Sequence, residues 1–427
     1  MFHAPRPTRA YPPSERTFGW RSDGTALSVA GFHADVAVAA ERLPELPHAI
    51  NLCEDRYLFT VAFLAVATRG QACLLPASRA ERDDIAQAGQ TFGGSYRLLD
   101  GDVAAWIGNR CASEPGSGAD GPLPRIPDDQ VVAVPFTSGS TGRSQPHPKR
   151  WGELVAGAHL AERRFGFAAG GISGVVATVP AQHMYGLETS VMVPLVIGIG
   201  VYGSRPFFPA DICCALAAAG PQPVLVTTPV HLSACVDSGV DWPPLAFIIS
   251  ATAPLPAALA MQAEARMAAP VLEIFGFTEA GSIASRRTVR DPDWHLYDGM
   301  TIRDNAVSAA HLPAPVAIND IIEARGVNRF ALIGRPQDLV NVAGKRTSLL
   351  HLNRVLCEID GVVDGAFVLP DEDSGGCSAR LAAAVVAPTL RREHVLAALA
   401  PRIDPLFIPR PLLMADRLPR NDNGKLP

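Results

Sequence analysis

The segment Val131-Val-Ala-Val-Pro-Phe-Thr137-Ser138-Gly139-Ser140-Thr141-Gly142 joins two signals. Its first half is a short apolar run rich in valine, which predicts a buried strand over Val131–Thr137. Its second half is small and polar. Gly139 and Gly142 let the backbone turn so that successive N–H groups point into one concavity, and the hydroxyls add donors. Such a nest suits the oxygens of a polyphosphate. By composition alone an ordinary Ser/Gly loop is the commoner reading. The segment lacks the G-x-x-x-x-G-K-[ST] pattern, and no G-x-S-x-G runs through Ser138 or Ser140.

Outward from this loop, further buried strands are predicted at Gly174–Pro180, Val224–Thr228, Ala246–Ser250 and Val271–Phe275. Helices are predicted at Asp211–Ala219, with Asp211 as its cap, and at Pro256–Ala268, with Pro256 in the opening turn. Alternation of this kind predicts an α/β fold with a largely parallel sheet. Ala112–Gln130 reads as a Gly/Pro/Ser-rich loop or linker. Beyond Gly334-Arg335 the texture becomes a small α+β unit, with helices at Leu349–Ile359 and Arg391–Leu399 and strands at Ala366–Pro370 and Leu381–Val386. The expected division is therefore a large N-terminal domain over 1–334 and a small C-terminal domain over 335–427.

The 427 residues are enough for two or three domains, and a hydrophobic fraction of 48% can fill their cores. The formal charge of −5 gives no basic excess for nucleic acid or an anionic membrane. Eight scattered cysteines, without a C-x-x-C pair, argue against zinc and against a disulfide framework. The longest apolar stretch, Val191–Tyr202, is broken by Pro194, Gly198 and Gly200 and is too short to span a bilayer. No signal peptide is read at the start, so the cytoplasm is the default location.

Several more blocks follow the loop: Pro180-Ala-Gln-His183-Met-Tyr185-Gly186-Leu, Ser250-Ala251-Thr252-Ala253-Pro-Leu, and Phe275-Gly276-Phe-Thr278-Glu279-Ala-Gly281. Then come Asp320 in Ile-Asn-Asp-Ile, Gly334-Arg335-Pro-Gln337-Asp through Gly344-Lys-Arg, and Leu418-Pro-Arg-Asn-Asp-Asn-Gly-Lys425. Taken in order, they resemble the adenylate-forming superfamily of acyl-CoA synthetases, aryl-acid ligases, peptide-synthetase adenylation domains and luciferases. The likeness covers the chain from about residue 130 to its C-terminus.

The resemblance implies ATP and Mg2+ as cofactors and assigns roles by position. Thr137 to Gly142 would cradle the phosphates. Ala251, Thr252 and Ala253 would line the adenine pocket, with Phe275 and Gly276 against the base. Thr278 would bond the α-phosphate and Glu279 would hold magnesium, a hard cation that needs carboxylate oxygen. Asp320 would hold the ribose hydroxyls and Arg335 would reach the ribose or the phosphates, although Asn319 stands where the usual pattern has glycine. His183, Tyr185, Gly186 and Gly281 would border the acid. Gly276 and Gly281 lack side chains to fill that site, and Tyr185 would be an apolar wall, which predicts a flat aryl acid. Gln337 would be the hinge, Gly344 would border a pantetheine tunnel, and Lys425 would neutralise the forming acyl phosphate. The usual phosphate-loop lysine is replaced by Gln145, and two readings stay open: Lys149, the nearest cation, substitutes for it, or the loop relies on N–H groups and hydroxyls alone.

Within the superfamily, Asn51-Leu-Cys-Glu-Asp-Arg-Tyr57, Gly70-Gln71, Leu74-Leu-Pro76 and Pro146-His147 resemble small aryl-acid ligases of bacterial pigment pathways. That likeness implies transfer of a hydroxybenzoate- or hydroxycinnamate-like acid to an acyl carrier protein. Transfer to CoA and a non-catalytic nucleotide-binding role stand as alternatives.

Overall fold

The computed structural model describes residues 17–21, 23–76, 82–108, 124–137, 144–168, 171–334, 339–342, 345–368 and 381–419. Two β-sheets dominate the larger, N-terminal part. The first runs through six parallel strands in the order Val271–Phe277, Phe247–Ser250, Val224–Thr227, Gly174–Ala177, Gly200–Tyr202 and Thr17–Trp20. Antiparallel strands continue it on one side through Gly281–Arg286, Trp294–Leu296, Arg329–Gly334 and Ile321–Ala324. Four of these parallel strands are buried along their whole length, as the unbroken apolar runs demand. The second sheet sets Ser95–Leu98, His48–Asn51, Ala72–Leu75 and Val131–Thr137 side by side in parallel.

One core cluster serves both sheets. Phe32, Phe59 and Phe63, from the helices Val29–Arg42 and Arg56–Thr68, share it with Ala133 of the second sheet and Val175, Val226 and Ile249 of the first. The helix Arg56–Thr68 is apolar on nearly every face and accordingly lies inside, opened by Asp55, whose side chain accepts from Leu58 N at 3.0 Å. The smaller C-terminal unit has its own core, formed by Leu352, Leu356, Phe367, Val385, Val395 and Leu412.

The strands expected at Val131, Gly174, Val224, Ala246 and Val271 all form, with ends differing by up to three residues. The strand from Gly174 pairs only to Ala177, because the chain then leaves the sheet toward Pro180. Asp211 does not cap its helix. The helix begins at Pro209, whose fixed φ suits the first turn, and Asp211 instead places its negative charge against the helix N-terminus. Pro256 occupies the cap position itself, before Ala257–Met267. In the C-terminal unit the expected helices appear as Leu349–Cys357 and Arg392–Leu399, and the strands as Asp364–Val368 and Ala382–Val386. Sequence reading missed the hairpin Leu339–Val342 with Lys345–Ser348 and the strand Leu412–Met414. The expected linker falls largely outside the described residues, as does the expected boundary at Arg335. No helix among the described residues is long and apolar enough to cross a membrane.

Candidate active site

Parallel strands collect the loops at their carboxyl ends on one edge, where open α/β sheets bind ligands. The His183 block follows Gly174–Ala177, the Ala251–Ala253 segment follows Phe247–Ser250, and Thr278–Glu279 follow Val271–Phe277. These three strands lie close together in one sheet, separated only by Val224–Thr227. Thr137 ends a strand of the second sheet, yet it reaches the same place. Its hydroxyl lies 2.9 Å from His147 Nε2, and that nitrogen lies 3.8 Å from Glu279 Oε1. Residues Ser138 to Gly142, which follow Thr137, and Arg335, Gln337, Gly344 and Lys425 lie outside the described residues.

Glu279 is held from behind. Lys149 is buried, and its Nζ donates to the Glu279 backbone oxygen at 2.5 Å. Burial pulls the Lys149 pKa down, against the opposing pull of Glu153, Glu188 and Glu279. The lysine left open as a substitute for the missing loop cation is thus bonded to the backbone of the metal-binding candidate. Burial likewise lowers the His147 pKa, opposed by Glu279 and reinforced by Lys149. The Glu279 side chain remains 38% exposed, beside Thr137. A partly exposed carboxylate near the end of the strand that leads into the candidate phosphate loop has the chemistry magnesium takes, one or two protein oxygens with the rest of its shell left to phosphate and water. His147 is the member of this cluster that family-pattern reading left without a role.

The segment expected to line the adenine pocket is fixed by a buried carboxylate. Glu273 accepts from Leu255 N at 3.0 Å, from Thr288 Oγ1 at 2.9 Å and from Arg286 Nε at 2.7 Å, with Arg286 Nη2 also at 2.7 Å. Within this anchored turn Thr252 is exposed and has φ of 77°, a left-handed conformation that is uncommon for a β-branched residue. Phe275 packs against Trp294 and Phe330, with ring centroids 5.5 and 5.6 Å apart, and keeps 9% of its surface exposed. Asp320 directly precedes Ile321, which pairs with Gly334, so it sits at the sheet end from which the chain runs on toward Arg335.

Three expectations about the acid site need correction. A Cβ on Gly281 would lie 2.3 Å from Glu188 Oε1, and one on Gly276 would lie 2.4 Å from the Gly281 carbonyl oxygen. The space these glycines leave is taken by the protein itself, and Gly281 has φ of 76° besides. Gly186 leaves room for the protein too, because its Cβ would fall 1.9 Å from the Pro180 carbonyl oxygen. Tyr185 is more than an apolar wall. Its hydroxyl donates between the carbonyl oxygens of Thr227, at 3.1 Å, and Ile249, at 3.0 Å, fastening the helix Met184–Leu187 to two strand ends. His183 is the residue just before that helix, and its carbonyl accepts from Leu187 N at 2.8 Å.

The early blocks are structural ties around this edge. Arg56 is buried. Its guanidinium donates to the carbonyl oxygens of Ala177 (3.1 Å) and Val179 (2.6 Å) and to Ser190 Oγ. Burial, and then the charge of Arg205, pull its pKa down to about 9. Gln182 Nε2 donates to Cys53 O at 2.6 Å, and Gln71 bridges Pro44 O and the Tyr96 hydroxyl. The Asn51–Tyr57 block therefore holds the chain on both sides of Pro180.

The AMP-binding enzyme model matches residues 34–308. A 4-coumarate–CoA ligase of Rhodobacter capsulatus is 30% identical over 234 residues, which cover 55% of this chain and 59% of that protein. The chain thus spans less than two thirds of that relative's length. A 4-coumarate–CoA ligase of Halorhodospira halophila is 28% identical over 301 residues, covering 68% and 73%. ATP-bound MatB from Rhodopseudomonas palustris superposes with a TM-score of 0.80 at 19% identity, over 98% of this chain and 95% of that one. The AMP complex of o-succinylbenzoate CoA synthetase from Bacillus subtilis gives 0.79 at 15% identity, covering 96% and 94%. These structural likenesses establish the fold, a large N-terminal and a smaller C-terminal domain, and the sequence match establishes the family. The chain belongs to the AMP-binding enzymes, within the adenylate-forming superfamily.

Proposed function

We propose that this protein uses ATP and magnesium to activate an aryl acid as an acyl-AMP and then passes the acyl group to a pantetheine thiol. The observation that carries the reading is the convergence of Thr137, His147 and Glu279, Thr137 being the residue that leads in sequence into 138–142. Magnesium bound at Glu279 would neutralise polyphosphate charge. Thr278 would bond the α-phosphate, Asp320 and Arg335 the ribose, and the Ala251–Ala253 segment would receive the base. The carboxylate would attack the α-phosphorus in line, breaking the α–β anhydride bond and expelling pyrophosphate, and the protein contributes positioning and charge neutralisation, with no covalent nucleophile. Lys425 supplies the positive charge at the forming acyl phosphate. In this reading residues 335–427 are a mobile domain that swings about Gln337 and exchanges Lys425 for the thiol channel.

The relatives' names favour CoA as acceptor, and the resemblance of the Asn51–Tyr57 block to carrier-protein ligases favours an acyl carrier protein. The test is acid-dependent exchange of pyrophosphate into ATP across benzoates, cinnamates, aliphatic acids and amino acids. Thioester formation is then compared with CoA and with phosphopantetheinylated carrier protein. Exchange with aryl acids is expected, and exchange only with amino acids or aliphatic acids would overturn the aryl assignment.

A further inference from the structure

After residues 138–142 the chain runs back alongside the strand Val131–Thr137. Thr137 pairs with Gln145, Phe136 with Pro146 and Ala133 with Lys149, all antiparallel, and His147 N donates to Pro135 O at 2.9 Å. One register therefore holds from Gln145 to Lys149. Residues opposite each other in such a pair, and residues two apart along it, share a face. Thr137, Gln145, His147 and Lys149 accordingly form a row on one side, and the contacts agree, since His147 Nε2 meets Thr137 and Lys149 Nζ meets Glu279. Gln145, where the family pattern has its lysine, is exposed and neutral, while the cation of the row stands four residues on and is buried.

Lys149 is one of two charged ties on the segment that carries Thr278 and Glu279. Its Nζ donates to the Glu279 carbonyl oxygen at 2.5 Å. The second tie comes from Glu188–Met192, which are wound as a π-helix. The Glu188 carboxyl accepts from Ser282 N at 3.2 and 3.1 Å and from Ser282 Oγ at 2.7 Å. Between the ties Ala280 N donates to Phe277 O at 3.1 Å and closes the turn. An ammonium on a carbonyl and a carboxylate on an N–H both make charge-assisted bonds, stronger than neutral ones. The turn is thus gripped by a cation before Ala280-Gly281 and by an anion after it.

We infer that Lys149 is a positioning residue, which makes up for the missing loop lysine by fixing the backbone that aims Glu279 and not by touching the polyphosphate. The inference rests on the reading of Glu279 as a magnesium ligand. Lys149 is only 4% exposed, and its ammonium is taken up by a backbone oxygen, so little of it is open to a ligand. Holding the Glu279 carbonyl fixes the peptide plane that follows Glu279, and with it the direction in which the side chain leaves the backbone. With a neutral Gln145 beside the loop, the metal carries charge neutralisation there, and the aim of its carboxylate ligand matters the more.

The test is the magnesium and ATP dependence of pyrophosphate exchange in Lys149→Met and Glu279→Gln, singly and combined, and in Lys149→Met carrying Gln145→Lys. Lys149→Met should raise the half-saturating magnesium concentration roughly tenfold, the size of one hydrogen bond to a charged group. The KM for ATP at saturating magnesium should stay nearly unchanged. In the Glu279→Gln background Lys149→Met should add nothing to the magnesium shift, because both act through one ligand. Gln145→Lys should fail to restore the magnesium curve. A raised KM for ATP, independent effects of the two variants, or rescue by Gln145→Lys would mean direct contact with phosphate and would overturn the inference. So would a Lys149→Met protein that loses stability and leaves the magnesium curve in place. Superimposable curves for wild type and Glu279→Gln sink the magnesium reading itself, whereas a shift in Glu279→Gln without one in Lys149→Met sinks only this inference. Should Lys149→Met fail to fold, wild type still decides. The chain has three lysines, Lys149, Lys345 and Lys425, so amine labelling read by mass spectrometry resolves each. Exposed Lys345 should label, and Lys149 should stay unlabelled with or without ATP. A Lys149 that labels in the free enzyme and is protected by ATP would contradict the assignment.

Discussion

Glu279 stands at the centre of the proposed site, and its assignment as a magnesium ligand makes a sharp demand. Replacing it with glutamine keeps the shape and the Lys149 bond, since that bond goes to the backbone oxygen. Thermal stability should therefore stay within about 0.5 kcal/mol of wild type, as for most changes near the surface. The magnesium concentration giving half-maximal exchange should rise at least tenfold. Superimposable magnesium curves would remove Glu279 as a ligand. Glu188 makes a different kind of prediction. Burial raises its pKa, against the opposing Ser282 bonds and Lys149 charge, so the native state holds this proton more tightly than the unfolded chain. The resulting stability is complete below the unfolded value of 4.5 and is lost as pH rises through the higher folded value. Glu188→Gln lacks this slope. Its melting temperature relative to wild type should climb between pH 4.5 and 8, and a constant difference would contradict the account. At this scale the sequence showed Thr278, Glu279 and His183 through their blocks. It could not show that the space at Gly281 belongs to Glu188, because the two are brought together only by tertiary packing.

Among the elements, the tie made by Arg56 explains why the His183 helix sits where it does. Its guanidinium joins the end of Gly174–Ala177 to Val179 and to Ser190 in the π-helical turn, and Tyr57 donates to Asp35 at 2.6 Å beside it. Removing the side chain leaves buried acceptors without donors. Arg56→Ala should destabilise the fold by about 3–5 kcal/mol in urea unfolding. Arg56→Met, which restores apolar volume, should recover part of that loss. A near-neutral Arg56→Ala would mean that the tie is incidental. The buried parallel strands from Val131, Gly174, Val224, Phe247 and Val271 were legible because their apolar runs are continuous and punctuated, whereas His48–Asn51, Ala72–Leu75 and Gly200–Tyr202 were too short to be read. The hairpin at Leu339–Val342 and the short strand Leu412–Met414 were not, since neither has the length or the alternation that marks a strand. The antiparallel extension of the main sheet is built from similarly short pieces, three to six residues each, that gain their identity from the neighbours they pair with.

The whole molecule divides its work between a large part with one core spanning two sheets and a smaller unit with its own core. Ser348 Oγ donates to Ile333 O at 2.7 Å where the two meet, close to the proposed hinge. The larger part carries the candidate metal, base and acid contacts, and the smaller one ends in the block that contains Lys425. A division of this kind was legible from the change of texture near residue 335. The pairing of Thr137 with Glu279, from different sheets, was not. The central claim is that ATP, magnesium and an acid react here to give an acyl-AMP, with Lys425 neutralising the forming bond. It is tested most directly by mass-spectrometric detection of hydroxybenzoyl-AMP in a thiol-free, single-turnover mixture, for wild type and Lys425→Ala. Wild type should form acyl-AMP and pyrophosphate in equal amounts, only with magnesium. Lys425→Ala should form it at least 100-fold more slowly, given the several kcal/mol that a transition-state charge contact supplies, yet should still pass pre-made hydroxybenzoyl-AMP to a pantetheine thiol. A wild type that binds ATP and yields no acyl-AMP with any acid would contradict the account, and a Lys425→Ala variant that adenylates at the wild-type rate would contradict the assignment of the lysine.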